Sequence, residues 1–251
     1  MKGAIFSIIT VVKNDCVALT ETIKSISEQK CESLEHIIVD GSSDDECLKG
    51  IKALSYQAEH YVHEEDSGVY DAMNKGLLLA KGKWVYFLNA GDTLCDEHSL
   101  NEVMKEIKEE LDFIYCDVYR ESDSSVKKIW IQRAPYEYGL VRNICHQAIF
   151  YNKKNCKNFS FNLNYAISAD FHLLLSLLKA NRGCHYKRIP KTLVNYKVGG
   201  LSQKFALEAL LERRRSFQSL MTNLFERYWN LLNLQRQIIK LVVKQRVRWS
   251  E

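Results

Sequence analysis

Proline is nearly absent, with two residues in a chain of 251, so no Pro-rich linker divides it. No stretch reaches the roughly 18 consecutive apolar residues needed to cross a bilayer. The N-terminal run AIFSIITVV (4–12) is short and β-branched and lacks a small-residue cleavage site, so it reads as a buried first strand rather than a signal peptide. The eight cysteines contain no CxxC pair. Their scatter argues against a zinc site or a disulfide framework and reads as free thiols in a reducing cytoplasm. Glycine is missing from SIITVVKNDC (7–16), which removes a Gly-rich phosphate loop there. There is no internal repeat and no low-complexity tract.

What is present is an ordinary globular mixture, 46% hydrophobic and 26% charged, at a length that buries a sizeable core. Charge is unevenly placed. Residues 204–251 carry ten Lys/Arg against four Asp/Glu, net +6, whereas the whole chain carries +4, leaving −2 for residues 1–203. The basic character belongs to the tail, so the pI is no argument for nucleic-acid binding by the body.

The first half alternates strand-like and helix-like segments: strands at 4–12, 34–40, 58–64 and 83–89, with helices at 17–29, 44–54 and 69–80 between them. That order predicts βαβ units and a mainly parallel sheet flanked by helices. In such sheets ligands sit at the carboxyl ends of the strands, which is where Asp40 and Asp92 fall. Later segments read as a charged helix (97–110), strands at 112–119, 126–132 and 146–152, an amphipathic helix (168–180) with Ser168 as N-cap, an extended stretch (185–198), and two tail helices (203–222 and 225–247).

Four stretches carry candidate chemistry, and each has a plain structural reading. VDGSSDD (39–45) is an ordinary strand-to-helix turn. EEDSGVYDAMNKG (64–76) places Asp71 near Asn74 and Lys75 on a helix surface, where an ion pair explains it. KWVYFLNAGD (83–92) ends an apolar strand at Asn89, the small pair Ala90-Gly91 and the lone carboxylate Asp92. SADF (168–171) puts Asp170 in a helix's first turn, which the macrodipole favours. His172 falls on another face of that helix and reads as structural, and Leu173, Leu174, Leu177 and Leu178 read as core.

In order and separation these stretches, with SIITVVKN (7–14), HQAIFY (146–151) and GGLS (199–202), resemble the family 2 glycosyltransferases of GT-A fold. Within that family the resemblance is to the branch that builds colanic acid, O-antigen and capsular polysaccharide. It spans about 195 residues. It implies an α/β GT-A catalytic domain over 1–202, with a nucleotide-sugar-binding half (1–95), an acceptor-binding half (96–202) and a basic helical extension (203–251). By the same resemblance Thr10 and Val12 would line the nucleobase pocket, and Asp40 would bond the base or ribose. Glu64 and Asp66 would sit near the nucleotide, and Asn74 and Lys75 near the diphosphate or donor sugar. Asn89, Ala90 and Gly91 would border the donor, with Asp92 holding Mn²⁺ or Mg²⁺. Asp170 would be the catalytic base, while His146, Gln147, Gly199, Gly200 and Ser202 would shape the acceptor and donor sites. The metal motif departs from the family's usual two carboxylates, because only Asp92 is anionic here. One carboxylate suffices if substrate phosphates and water complete the octahedron.

The implied activity is inverting transfer from a nucleotide sugar (UDP or GDP) to a glycan acceptor on a polyprenyl diphosphate. Two rivals are a non-catalytic nucleotide-sugar-binding subunit and a sugar-phosphate nucleotidyltransferase; the missing phosphate-loop glycine argues against the second. In the tail, basic residues interleave with an apolar-aromatic face, which suits a helix on anionic lipid. The expected location is therefore cytoplasmic, peripheral on the inner face of a bacterial inner membrane; packing on the body or homodimer pairing is the alternative use of the same face.

Overall fold

A computed structural model describes residues 5–121, 127–137, 140–156, 158–180 and 183–248. In chain order the elements are β1 (Phe6–Val12), α1 (Cys16–Ser27), β2 (Leu34–Asp40), α2 (Glu46–Ala53), β3 (His60–His63), α3 (Val69–Leu79), β4 (Trp84–Phe87), β5 (Thr93–Leu94) and α4 (Ser99–Met104). They continue with β6 (Phe113–Glu121), β7 (Lys127–Trp130), β8 (Tyr136–Glu137), β9 (Leu140–Val141), a 3₁₀ turn (His146–Ala148) and β10 (Ile149–Asn152). Last come α5 (Ala169–Ala180), β11 (Tyr186–Lys197), α6 (Leu201–Lys204), α7 (Ala206–Leu220) and α8 (Leu224–Arg248). The chain divides into two compact units. The first comprises Met1–Gln132, Ile144–Phe161 and His185–Val198; the second comprises Arg133–Asn143, Asn162–Cys184 and Gly199–Glu251.

The first unit holds a nine-stranded sheet in the order β3-β2-β1-β4-β10-β6-β11-β5, with β7 paired to β6. Strands β3, β2, β1 and β4 are parallel, as the βαβ alternation predicts. Every residue of β1 is buried, because helices cover both faces and no polar alternation is needed. The second half of the sheet is mixed: β10 runs antiparallel to both β4 and β6, while β11 is parallel to β6. Pro190 cannot donate to a ladder, and the β11 register shifts between Ile189 and Thr192 around it. The core between β4 and β10 includes Tyr86 stacked on Phe150 at 4.1 Å between ring centres. Each such buried side chain contributes roughly 1.5–3 kcal/mol of transfer free energy.

Three expectations change. The charged helix expected over 97–110 is only Ser99–Met104. Glu106, Glu109 and Glu110 would crowd the negative end of a longer helix's dipole, and Glu106 pairs instead with Lys187 of β11. Cys16 and Cys47 are joined as a disulfide with their Cα atoms 4.7 Å apart, while Cys31, Cys95, Cys116, Cys145, Cys156 and Cys184 are not in disulfides. Their separation of 31 residues carries no signature; the sheet order brings the first turns of α1 and α2 together. Ser168 does stand at the N-cap position of α5, its carbonyl accepting from His172 N at 3.0 Å, but its hydroxyl donates to the Ala209 carbonyl.

The second unit packs α5, α7 and α8 around Phe171, Leu175, Phe217, Met221 and Leu234, with Val141 of the β8–β9 hairpin. Glu212 of α7 holds the segment leading into α5. Its carboxylate accepts the backbone N–H groups of Ala166, Ile167 and Ser168 at 2.8–2.9 Å, satisfying amides at the entry of α5. No helix among the described residues is long and apolar enough to cross a membrane. Of the tail residues, Trp249 lies outside the described residues.

His36 of β2 is fully buried between Thr10 Oγ1 (2.9 Å) and Tyr56 OH (2.8 Å). Burial pushes its pKa down to about 3, below the ordinary value of about 6.5. The unfolded chain therefore binds the extra proton first. The stability from keeping His36 neutral is complete above pH 6.5 and is lost as pH falls toward 3. Urea unfolding at pH 7 and pH 5 should show His36→Gln losing about 2 kcal/mol less than the parent over this interval; equal losses would remove His36 from that role.

Candidate active site

The candidate donor residues gather at the carboxyl ends of β1, β2, β3 and β4, in two groups. The first surrounds Asp40, the last residue of β2. Its carboxylate is completely buried, with Oδ1 accepting from Ser42 N (2.8 Å) and Oδ2 from Tyr61 OH (2.5 Å). The Ser42 hydroxyl in turn accepts from Asn14 N (2.8 Å), so the loops after β1 and β2 are tied together. Glu64 N donates to the Asp40 carbonyl (3.1 Å), and the Glu64 carboxylate pairs with Lys75 at 3.1 Å. Lys75 also meets Asp71 at 3.8 Å and donates to the Glu65 carbonyl. Asp66 accepts from Gly68 N (3.0 Å) and lies 3.4 Å from the exposed Lys13 ammonium.

Two residues of the expected donor set spend their side chains elsewhere. Thr10 points inside the sheet to His36. The Asn74 carboxamide closes on one backbone, donating to the Phe161 carbonyl (2.9 Å) and accepting from its N–H (2.8 Å). Val12 is buried and offers its carbonyl to Gly41 N.

The second group is the turn after β4. Asp92 N donates to the Asn89 carbonyl (3.0 Å), Ala90 N to the Val11 carbonyl (3.2 Å), and Gly91, at φ +95°, to the Ala18 carbonyl (3.1 Å). Gly91 suits that left-handed backbone because it has no Cβ. Thr22, fully buried on α1, accepts from Gly91 N (3.0 Å) and donates to the Asp92 carbonyl (2.8 Å). Sequence reading missed Thr22. Its only signal was a hydroxyl amid the apolar face formed by Ala18, Leu19, Ile23 and Ile26.

The Asp92 side chain is buried, Oδ1 accepting from Lys197 N and Oδ2 from Gln147 Nε2, both at 2.9 Å. Burial raises its pKa to about 6, although the Lys197 amide, the charge of His146 and the Gln147 carboxamide all pull the other way. Beside it, Asn89 Nδ2 faces His146 Nε2 at 3.3 Å, and Asn89 Oδ1 is a buried oxygen with no hydrogen-bond partner among the described residues. An orphaned amide oxygen and a carboxylate unsettled by burial are hard donors in need of positive charge. The described residues include no cluster of three or more His, Cys, Asp or Glu able to hold an ion. The set therefore fits Mn²⁺ or Mg²⁺ only as a pair of protein oxygens, with phosphate and water oxygens completing the shell.

In the second unit, Asp170 sits in the first turn of α5, on the segment anchored by Glu212. His172 Nδ1 lies 3.2 Å from Ser216 Oγ and its ring stacks on Tyr165 at 4.2 Å, a packing role. Gly199 has φ +120° and Gly200 precedes α6, on which Ser202 is exposed.

Residues 7–172 match the family described as glycosyl transferase family 2. The chain belongs to that family. It is 34% identical over 221 residues to a mycobacterial PGL/p-HBAD biosynthesis glycosyltransferase from Mycobacterium tuberculosis, covering 85% of each chain. It is 24% identical over 212 residues to the minor teichoic acid biosynthesis protein GgaB of Bacillus subtilis, covering 77% of this chain and 23% of that one. Among solved structures it resembles Staphylococcus aureus TarS in complex with UDP, with a TM-score of 0.67 at 16% identity over 92% of this chain and 70% of that one. It also resembles the mannosyltransferase PcManGT of Pyrobaculum calidifontis in complex with GDP-Man and Mn²⁺, with a TM-score of 0.64 at 15% identity over 87% of this chain and 64% of that one. The family 2 glycosyltransferase thus has the α/β GT-A fold expected.

A Cβ added to Gly41 would stand 1.7 Å from Asp66 Oδ2, so Gly41→Ala must drive that carboxylate from its place. The substitution should cost about 1–3 kcal/mol. In the Asp66→Gly background most of that cost should vanish, a coupling of about 1 kcal/mol or more by chemical denaturation. Additive losses would show that the two residues do not meet.

Proposed function

We propose that this glycosyltransferase is inverting and divalent-metal-dependent, and that it transfers a sugar from a UDP- or GDP-sugar to a lipid-linked glycan acceptor in bacterial surface-polysaccharide biosynthesis of the O-antigen, capsule or colanic acid type. The observation that carries the reading is that one turn after β4 holds both a buried Asp92 and a partnerless buried oxygen on Asn89. Support for the nucleotide comes from the relatives solved with UDP and with GDP-Man and Mn²⁺. The mycobacterial and Bacillus relatives, named for PGL/p-HBAD and teichoic acid biosynthesis, favour a bacterial envelope glycan.

When bound, the ion would offset negative charge developing on the nucleoside diphosphate as it leaves. Asp92 and Asn89 are the residues to hold it, and Gln147 and the Lys197 amide fix the carboxylate's orientation. Lys75 is the nearby point charge for the diphosphate. Asp170 is assigned the proton of the attacking hydroxyl, a poor nucleophile until deprotonated. A single displacement with that base inverts the anomeric centre. Incubation with a panel of UDP- and GDP-sugars, with Mn²⁺ or Mg²⁺ and a glycan acceptor, should release nucleoside diphosphate. Asp170→Asn should bind donor normally yet lose roughly 10²–10⁴-fold in kcat; a variant keeping most of its turnover would exclude this base.

For the membrane, α8 presents Phe225, Tyr228, Trp229 and Ile239 to solvent at 43–76% exposure, and their spacing puts them along one side with Arg236 beside them. Basic residues flanking an aromatic stripe suit an anionic lipid interface. Flotation with anionic vesicles should recover the full chain, and lose it on changing Phe225 and Tyr228 together to Ser. Undiminished flotation of that variant would point away from this face, and dimerisation without vesicle binding would assign it to a second copy.

A further inference from the structure

One covalent bond at the donor edge of the first unit has no part in the chemistry above. The disulfide between Cys16 and Cys47 joins the first residue of α1 to the second residue of α2, directly after the loops that leave β1 and β2. Hydrogen bonds lace the same two loops. Gly41 N donates to the Val12 carbonyl (2.9 Å), Asn14 N to Ser42 Oγ (2.8 Å) and Ser43 N to Asn14 Oδ1 (3.2 Å). Ser42 Oγ also stands 3.7 Å from Cys47 Sγ. A disulfide sulfur carries no proton, so the serine hydroxyl donates there while accepting from Asn14. The lacing ends on Asp40, whose Oδ1 accepts from Ser42 N (2.8 Å).

The bond is selective and lies near the surface. Cys47 is buried in a cluster with Val12, Ile38 and Ile51, while Cys16 and Ala90 pack against that cluster and stay partly exposed. Cys16 is therefore the more open end. The other six cysteines are not in disulfides, so this link belongs to no covalent framework of the kind that small secreted domains use. Residues 13–15 and 43–46 are exposed. With the bond open, their positions would rest on the hydrogen bonds above, for which water competes.

We propose that Cys16–Cys47 is a thiol–disulfide exchange site that controls donor binding: closed, it holds the β1 and β2 loops in place, and opened by a dithiol it releases them. The inference rests on the nucleotide-sugar reading above. In the opening step a thiolate of the dithiol attacks Cys16 Sγ, the S–S bond breaks, and Cys47 leaves with the electron pair and takes up a proton. The second thiol of the reagent then closes on the first, releasing Cys16 as a thiol. Two electrons and two protons pass to the protein, and the dithiol becomes a cyclic disulfide. Freed loops must be ordered again when a nucleotide binds, and that ordering is subtracted from affinity.

The test equilibrates the full chain with oxidised or reduced dithiothreitol, then alkylates free thiols and maps them by mass spectrometry. Cys16 and Cys47 should resist labelling in the oxidised sample and take it in the reduced one. Reduction should speed hydrogen exchange of the amides over 13–15 and 41–46. It should also weaken UDP or GDP binding in the presence of Mg²⁺ about three- to tenfold by calorimetry. Cys16→Ser removes the bond and leaves the buried Cys47 in place; its exchange and affinity should match the reduced parent and respond to neither reagent. Labelling of both cysteines after oxidation, or exchange and affinity unchanged on reduction, would overturn the inference. Absence of UDP and GDP binding in both states would overturn the donor reading instead, and the exchange rates would still decide whether the bond holds the loops.

Discussion

A carboxylate shut away from water and met only by neutral N–H groups is a poor resting arrangement, and the first unit is organised around one. Asp92 has two donors, a backbone amide and a carboxamide, and neither carries the charge that would offset burial. The raised pKa records that deficit. The turn is nevertheless held in this position from several directions. Thr22 fixes it from α1 and the Val11 carbonyl from β1. On the other side a chain of contacts runs outward from Gln147. Its Oε1 accepts from the Cys145 thiol, Cys145 N donates to Gln132 Oε1, Gln132 N donates to Asp117, and Asp117 is held by Arg188 at 2.6 Å. The mixed second half of the sheet, with β6 and β11 at its centre, thereby supports a single side chain at the end of the parallel half.

That division explains what could be read from sequence. The parallel half announces itself because each βαβ unit is local: an apolar run, a turn and an amphipathic helix, so β2 falls on the expected 34–40 and α3 within one residue of 69–80. The carboxylates at its strand ends were legible for the same reason. Antiparallel β10 was visible as a strand, but its neighbours were not, since pairing with β4 and β6 depends on residues far apart in the chain. Long-range partners were missed throughout. Glu212 anchors the lead-in to α5 across 44 residues, and Tyr61 reaches Asp40 across 21. Local pattern placed Ser168 at the head of α5 correctly, but it gave no sign that a carboxylate on α7 would hold the three amides of residues 166–168 before it.

Charge tells a similar story of local signal and non-local use. Glu102, bridged by Lys105 and Lys191, has its pKa pulled down to about 2, yet the group is exposed and such pairs contribute little to stability. Asp117 with Arg188 is the opposite case: the carboxylate is buried and also accepts from Gln132 N, so removing the arginine would leave an uncompensated charge beside the Gln147 support. Composition counts these charges equally, and only burial separates them.

Lys75 shows how an exposed pair can still matter to the proposed chemistry. In the resting structure its ammonium is balanced by Glu64 and Asp71 and donates to the Glu65 carbonyl. A diphosphate arriving near it competes with carboxylates for the same charge. Because surface pairs are worth at most about 1 kcal/mol, exchanging them for phosphate oxygens costs little, while the anions hold the side chain near one place beforehand. Asp92 starts differently: the charges of His146 and Lys197 favour its ionised form but do not outweigh its burial. Under the proposed function, Lys75 of α3 and Asp92 after β4 would meet a nucleoside diphosphate from opposite starting points. One is a cation already neutralised and able to switch partners; the other is an anion held in place and short of positive charge. A ligand that brings its own divalent ion satisfies the second without robbing the first, which is why an ion and a diphosphate arriving together suit this site better than either alone.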